Sequence, residues 1–157
     1  MRKQSIVVHA PIIISLILAL STVALAADPL VGTWKLNVAK SKGTGPAPKS
    51  GKVTITAQDN GIKSISDGVD ADGKAVHSEF AAKYDGKDYP VTGRSYDTIA
   101  LTRVDANTIT LIPKKDGKAI GTGQIVVSKD GKTRTVTGKG KDANGHDTSF
   151  TAVYEKQ

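Results

Sequence analysis

Residues Lys52 to Gly86 read KVTITAQDNGIKSISDGVDADGKAVHSEFAAKYDG, and this stretch decides the fold. Val53, Ile55 and Ala57 fall on one face of an extended chain, with Lys52, Thr54 and Thr56 on the other. Val76, Ser78, Phe80, Ala82 and Tyr84 also share a face. A period of two is the mark of a half-buried β-strand. Asp59-Asn60-Gly61, Asp72-Gly73 and Asp85-Gly86 punctuate the stretch with residues that hairpin turns favour.

The same rhythm continues on both sides. Asp116-Gly117, Asp130-Gly131 and Asn144-Gly145 are further strong hairpin signals, and Thr92 to Ser95 and Asp105-Ala106-Asn107 are weaker ones. Between them Ile99 pairs in parity with Leu101, and Ile109 with Leu111. Ile125 and Val127 match Gly121 and Gly123, and Phe150, Ala152 and Tyr154 alternate with polar neighbours. Counting the segment around Trp34, this gives nine or ten strands. Composition agrees: Asp occurs 13 times but Glu only at Glu79 and Glu155, and there are 16 Gly. Asp and Gly serve turns, whereas Glu is a helix former. The sequence therefore predicts an all-β fold. The expected form is a single antiparallel up-and-down meander barrel of about 8–10 strands, because closure removes unpaired edges. A two-sheet sandwich is the alternative that periodicity leaves open.

Two segments stand apart. Ala39 to Gly51 (AKSKGTGPAPKSG) is basic and rich in Gly and Pro, and is expected to cross one end of the sheet as an unpaired loop. The N-terminus reads as an export signal. Arg2 and Lys3 precede the apolar run Ile6 to Leu20, and Ala24-Leu25-Ala26 supplies a small-x-small cleavage site. Residues 1–26 are thus expected to be a signal peptide, and 27–157 a single barrel domain that is periplasmic or secreted. The chain has no Cys, which excludes disulfides, thiol catalysis and acylation at a lipoprotein cysteine.

Gly32-Thr33-Trp34-Lys35-Leu36 resembles the opening strand of the calycins, the lipocalin and fatty-acid-binding-protein group, in which a Gly-x-Trp motif begins the barrel and the Trp plugs its base. Val153-Tyr154-Glu155-Lys156 resembles the last strand of the intracellular fatty-acid-binding proteins. The fuller phrase GTWKLNVAKSK, followed by PAPKS, is similar to small exported bacterial proteins often called lipocalin-like, a likeness that implies no activity. The resemblance implies structural roles for Gly32 and Trp34. It also has departures. The last strand of fatty-acid-binding proteins carries Arg-x-Tyr, which holds a ligand carboxylate; here Ala152 stands at the Arg position and only Tyr154 remains. The Pro/Gly loop replaces their two lid helices. Lipocalins pack a late Arg on the motif Trp and often add a C-terminal helix, for which the residues up to Gln157 leave no room.

Candidate ligand-binding residues follow from strand parity. Arg103 shares a face with Ile99 and Leu101, and Arg134 with Val136. If both point inward beside Tyr154, they could hold an anionic group, since guanidinium matches carboxylate in a bidentate fashion. Phe80, Phe150, Ile109 and their neighbours would supply apolar lining, with Gly121, Gly123, Ala82 and Ala152 leaving space. The competing reading is that both Arg lie at strand ends and reach water. His77, Glu79, His146 and Asp147 could in principle ligate a metal, but His77 has solvent parity and the two halves lie far apart, so no metal is expected. Asp70 to Gly73 lacks the later acidic ligands of a calcium loop and reads as a turn.

No nucleophile elbow, phosphate loop or dinucleotide fingerprint is present, so no cofactor and no catalysis are expected. The chain carries 22 Lys and Arg, two of them Arg2 and Lys3, against 15 Asp and Glu. This surplus is spread along the chain rather than clustered, which argues against a nucleic-acid partner. The expected function is an exported, non-catalytic domain binding a small, partly apolar or anionic molecule, without membrane attachment once the signal is cleaved. The alternative is a structural module of the cell envelope, touching anionic polymers through Lys40, Lys42, Lys49 and Lys52.

Overall fold

The computed structural model describes residues 27–141 and 144–157. The expected signal segment, 1–26, lies outside the described residues. Eleven strands follow in chain order: β1 (Gly32–Gly43), β2 (Ser50–Gln58), β3 (Gly61–Val69), β4 (Ala75–Lys83), β5 (Asp85–Thr92), β6 (Thr98–Arg103), β7 (Thr108–Lys115), β8 (Lys118–Ala119), β9 (Gly121–Val127), β10 (Thr133–Lys141) and β11 (Asp147–Lys156). There is no helix among the described residues. All pairings are antiparallel. The sheet runs β6-β5-β4-β3-β2-β1-β11-β10-β9-β7, and a further β6–β7 pairing closes it into a ten-stranded barrel. β8 is a two-residue stub hairpinned onto β7. The fold is therefore an up-and-down barrel and not a sandwich, and its first and last strands are neighbours, as closure requires.

Turn chemistry fixes the meander. Asn60, Gly73, Gly86, Gly93, Asp116, Gly117, Gly131 and Gly145 all adopt positive φ, and each lies in a turn marked by the sequence. At Asp116-Gly117 two consecutive positive φ values match the twist of the flanking strands. Asp85-Gly86 behaves differently. Its register shifts between Asp85 and Asp88, and β4 meets β5 only at Glu79–Thr92 and Phe80–Val91. These two strands therefore splay below that point instead of forming a full hairpin ladder.

The Pro/Gly segment is shorter as a loop than its composition implies. β1 bulges between Asn37 and Lys42, then pairs again with β11 through Lys42–Thr151 and Gly43–Phe150. Side chains carry the chain across the bulge. The Asn37 carboxamide oxygen accepts from the Lys40 amide, and the Ser41 hydroxyl donates to the Asn37 carbonyl and accepts from the Val153 amide. Only residues 44–49 lie outside strands, and β2 already starts at Ser50. The expectation that Ala39–Gly51 cannot pair is thereby corrected: local hydrogen bonds from Asn37 and Ser41 outweigh a composition that disfavours strands.

Packing concentrates at one end. Leu30, Trp34, Ile55, Ile62, Leu101, Ile109 and Val127 are almost fully enclosed and form the base of the core. The Trp34 indole N–H donates to the Leu30 carbonyl at 2.8 Å, so its polar atom is satisfied inside an apolar plug. Gly32 has φ +134°, and a Cβ there would stand 2.8 Å from Cε of Lys156. That missing Cβ lets the Lys156 stem cross the base and bring its ammonium 5.1 Å from the Trp34 ring centre. The Gly-x-Trp motif thus has a local physical basis, and Lys156 places a cation over the Trp.

Candidate functional site

Asp28 organises the base. Its carboxylate accepts from the Tyr84 hydroxyl at 2.6 Å and from the Arg103 guanidinium, which also donates to the Ala106 carbonyl. Arg103 lies 4.0 Å over the Tyr84 ring. Burial, then the Asp28 hydrogen bond and charge, push the Tyr84 hydroxyl well above its ordinary range. Asp28 also accepts from the Leu30 amide, which sets the turn that drops Leu30 into the barrel. Arg103 points inward as its parity implies, but its guanidinium is committed to an internal partner. It fastens the N-terminal plug.

Arg134 is different. It lies on β10, in register with Val127 of β9 and Tyr154 of β11, and is only 7% exposed. Its guanidinium stacks 4.9 Å from the Tyr154 ring centre. Nε and Nη1 are buried and have no hydrogen-bond partner. Among the described residues, no carboxylate pairs with it. Burial pushes the group down to about 10; Tyr154 opposes that shift and the positive charge of Arg94 adds to it. A buried cation without a partner is costly in a folded chain. Arg134 and Tyr154 are thus brought together, and Arg134 is buried instead of reaching water as a strand-end residue would, whereas Arg103 belongs to the base.

Arg94 is the site residue that sequence reasoning missed. It sits in the turn after β5 and donates from Nε to the Ser78 hydroxyl at 2.9 Å. Ser78 is buried on the inner face of β4. The turn reaches there because Gly93, at φ +71°, lies directly on β4: a Cβ would stand 1.9 Å from the His77 carbonyl oxygen. The signal was present in Thr92-Gly93-Arg94-Ser95, but it identifies a turn and not where that turn rests. Tyr96, two residues on, packs against the core beside Arg94, and burial raises its hydroxyl pKa. Phe80 packs against the same core, in register with Ser64 and Val91.

The barrel opens at the end opposite Trp34. There a cavity of about 350 Å³ lies between residues 41–48 and β11, with Leu36, Ala152, Phe150 and Tyr154 among its lining side chains. Tyr154 is shared between this cavity and the Arg134 stack. Phe150 is 48% exposed. Its ring lies over Gly138, where a Cβ would stand 2.4 Å away. On β9 and β10, Gly123 faces Gly138 and Gly121 faces Gly140, so these positions add no side chains of their own, and Phe150 and Leu111 lie over Gly138 and Gly123.

The other polar clusters are external. His77 bonds Asp67 at 2.7 Å across β3 and β4, and Glu79 pairs with Lys63 instead of joining His77. No group of three or more metal-ligating side chains occurs among the described residues. Of the loop lysines, Lys40 is paired with Glu155. Hydrogen bonds from Lys40 and then Asn37 hold the Glu155 carboxyl below its ordinary range.

No family model and no curated protein matches the chain. Solved structures do. EF1p2_mFAP2b bound to DFHBI superposes with a TM-score of 0.53 at 15% identity, covering 84% of this chain and 97% of that one. The zebrafish ileal bile acid-binding protein complexed with cholic acid gives 0.51 at 11% identity, covering 82% and 99%. With ten strands closed in sequence order and the motif Trp at the sealed base, the chain has a calycin-like fold.

Proposed function

We propose that this chain is an exported, non-catalytic binder of a small molecule with an apolar body and an anionic end. The apolar body occupies the cavity beneath residues 44–48, and the anionic end reaches Arg134. One observation carries the reading: a buried guanidinium with two unsatisfied nitrogens, stacked on an aromatic ring that also lines an open cavity. A chain gains nothing in stability from such a group, whereas an incoming anion would supply its missing partner. Apolar walls with a few convergent polar groups are the usual form of a ligand pocket, and about 350 Å³ falls within the usual range. Support also comes from the two structural neighbours, which hold DFHBI and cholic acid.

Titration with octanoate tests this. Binding should weaken about 30-fold or more in Arg134→Met, corresponding to the loss of roughly 2 kcal/mol or more from a desolvated charge pair. Arg103→Met should leave the affinity nearly unchanged, because that guanidinium already serves Asp28. Equal binding by wild type and Arg134→Met would reject the reading.

A further inference from the structure

We propose that the apolar body of the ligand is a flat aromatic ring system and not a flexible acyl chain, and that Ala152 is the residue that makes room for it. The inference rests on the small-molecule reading above. The cavity has two aromatic posts on one strand. Phe150, Ala152 and Tyr154 follow one another along the same face of β11, and all three line the cavity. The two rings are rooted four residues apart, roughly 13 Å along the strand, with only a methyl group between them. β1 withdraws at the same level. It pairs with β11 at Asn37–Val153 and again at Lys42–Thr151, so its bulge leaves Ala152 without a register partner on that side. On the other side Ala152 meets Val136 of β10. Pro46 and Pro48, from the loop after β1, also line the cavity.

Phe150 is placed to receive a ring. Its register partners are Gly43 on β1 and Gly138 on β10, so no side chain stands beside it in that row on either strand. Covering Gly138 accounts for one edge of the ring. It does not account for the rest, since nearly half of the residue stays exposed. An aromatic guest covers such a ring and gains offset or edge-to-face contact beyond simple burial. At the other post, Tyr154 holds the Arg134 guanidinium 4.9 Å from its ring centre, so a guest between the posts carries its anionic end toward Arg134. The walls are also stiff. Pro46 and Pro48 have fixed φ, and Gly43, Ala47 and Ala152 have no rotamers to adjust. Such walls do not reshape around a mobile chain, whereas a rigid guest loses little conformational freedom on entering. Ala152 is thus a specificity-determining residue, because a larger side chain there would stand where the ring lies.

2-Naphthoate and undecanoate make the test. They share a carboxylate and a carbon count, and undecanoate has the larger apolar surface, so burial alone would favour it. Calorimetric titration of the purified protein should instead show 2-naphthoate binding about 10-fold more tightly or better. In Ala152→Leu the 2-naphthoate affinity should fall by about 10-fold or more. Phe150→Leu keeps apolar bulk at a half-exposed position but removes the ring, and should cut the naphthoate-to-undecanoate ratio by about 5-fold or more. Ring currents supply a readout that loss of packing would not. The Ala152 methyl proton resonance should shift upfield with 2-naphthoate and not with undecanoate. Undecanoate binding as tightly as 2-naphthoate, with both lost in Arg134→Met, would overturn the aromatic class and leave the anion-binding role intact. 2-Naphthoate binding that depends on Ala152 but not on Arg134 would uphold the slot and overturn the anchor. 2-Naphthoate binding that leaves the Ala152 methyl unmoved would overturn the proposal, and failure of both probes to bind would remove the small-molecule reading as well.

Discussion

The two ends of the barrel are made from the same strands and opposite materials. At the base, Trp34, Leu30, Ile55, Ile62 and Leu101 meet with almost no exposed surface, and even the cations there, Arg103 and Lys156, have partners. At the mouth, glycines face glycines across β9 and β10, Phe150 is half exposed, and the loop after β1 stands off the wall. Between the two sits Arg134, buried like a base residue but unsatisfied. The difference teaches where each property is located. Stability is gathered at one end, which leaves the other free to carry groups that stability alone would not select.

The largest effect that could break this comparison is at the base. Trp34→Ala should cost about 3–5 kcal/mol in denaturant unfolding, the range for truncating a buried aromatic. A loss below about 1 kcal/mol would mean that the base is not the stabilising end. Next comes a change of opposite sign. Arg134→Met removes an unpaired buried cation and keeps much of its volume, so it should stabilise the unliganded protein by about 1–4 kcal/mol. The pH dependence has a definite sign. The folded-state pKa of Arg134, about 10, lies below its ordinary value. Its penalty is therefore fully present below pH 10 and is relieved as pH rises through that value. The stability gap between Arg134→Met and wild type should narrow above pH 10; a gap that widens there would contradict the burial argument.

Smaller effects sharpen the contrast. Asp28→Asn weakens the hold on Arg103 and Tyr84 and should cost about 1–3 kcal/mol, with hydrogen exchange accelerating at the Leu30 and Val31 amides. Gly32→Ala imposes a strained φ and crowds Lys156, for about 1–3 kcal/mol. Phe150→Ala should be the mildest, under about 1 kcal/mol, because so much of the ring is already in water. A Phe150 cost equal to that of Trp34 would erase the distinction between the ends.

The barrel was legible because its signals are local. Each Asp-Gly or Asn-Gly pair names its own turn, and each alternating run names its own faces. The base was legible through Gly32 and Trp34; for Arg134 strand parity left an inward and a solvated position both open, because the residue lies close to a turn. What escaped was the commitment of side chains to distant partners. Nothing near Arg103 reveals that Asp28, 75 residues earlier, claims it. Nothing in the turn at Gly93 reveals that it lies on β4 and delivers Arg94 to Ser78. Phe150 has inward parity, as read, but parity does not report distance from the base, and its level on the barrel places it at the opening.

Closure of the barrel by β1 and β11 also constrains how the chain reaches this state. Trp34 pairs with Lys156, almost the full length of the domain away, while most other strands pair with a sequence neighbour. Hairpins can form as soon as their turns exist, but the seam cannot form until the last strand has been made. Folding should therefore be slow for a chain of this size, with the seam as its entropic bottleneck. Until then β1 presents an unpaired edge that invites association with other chains, and Lys35, Lys40 and Lys42 along it are the kind of charge that discourages such pairing.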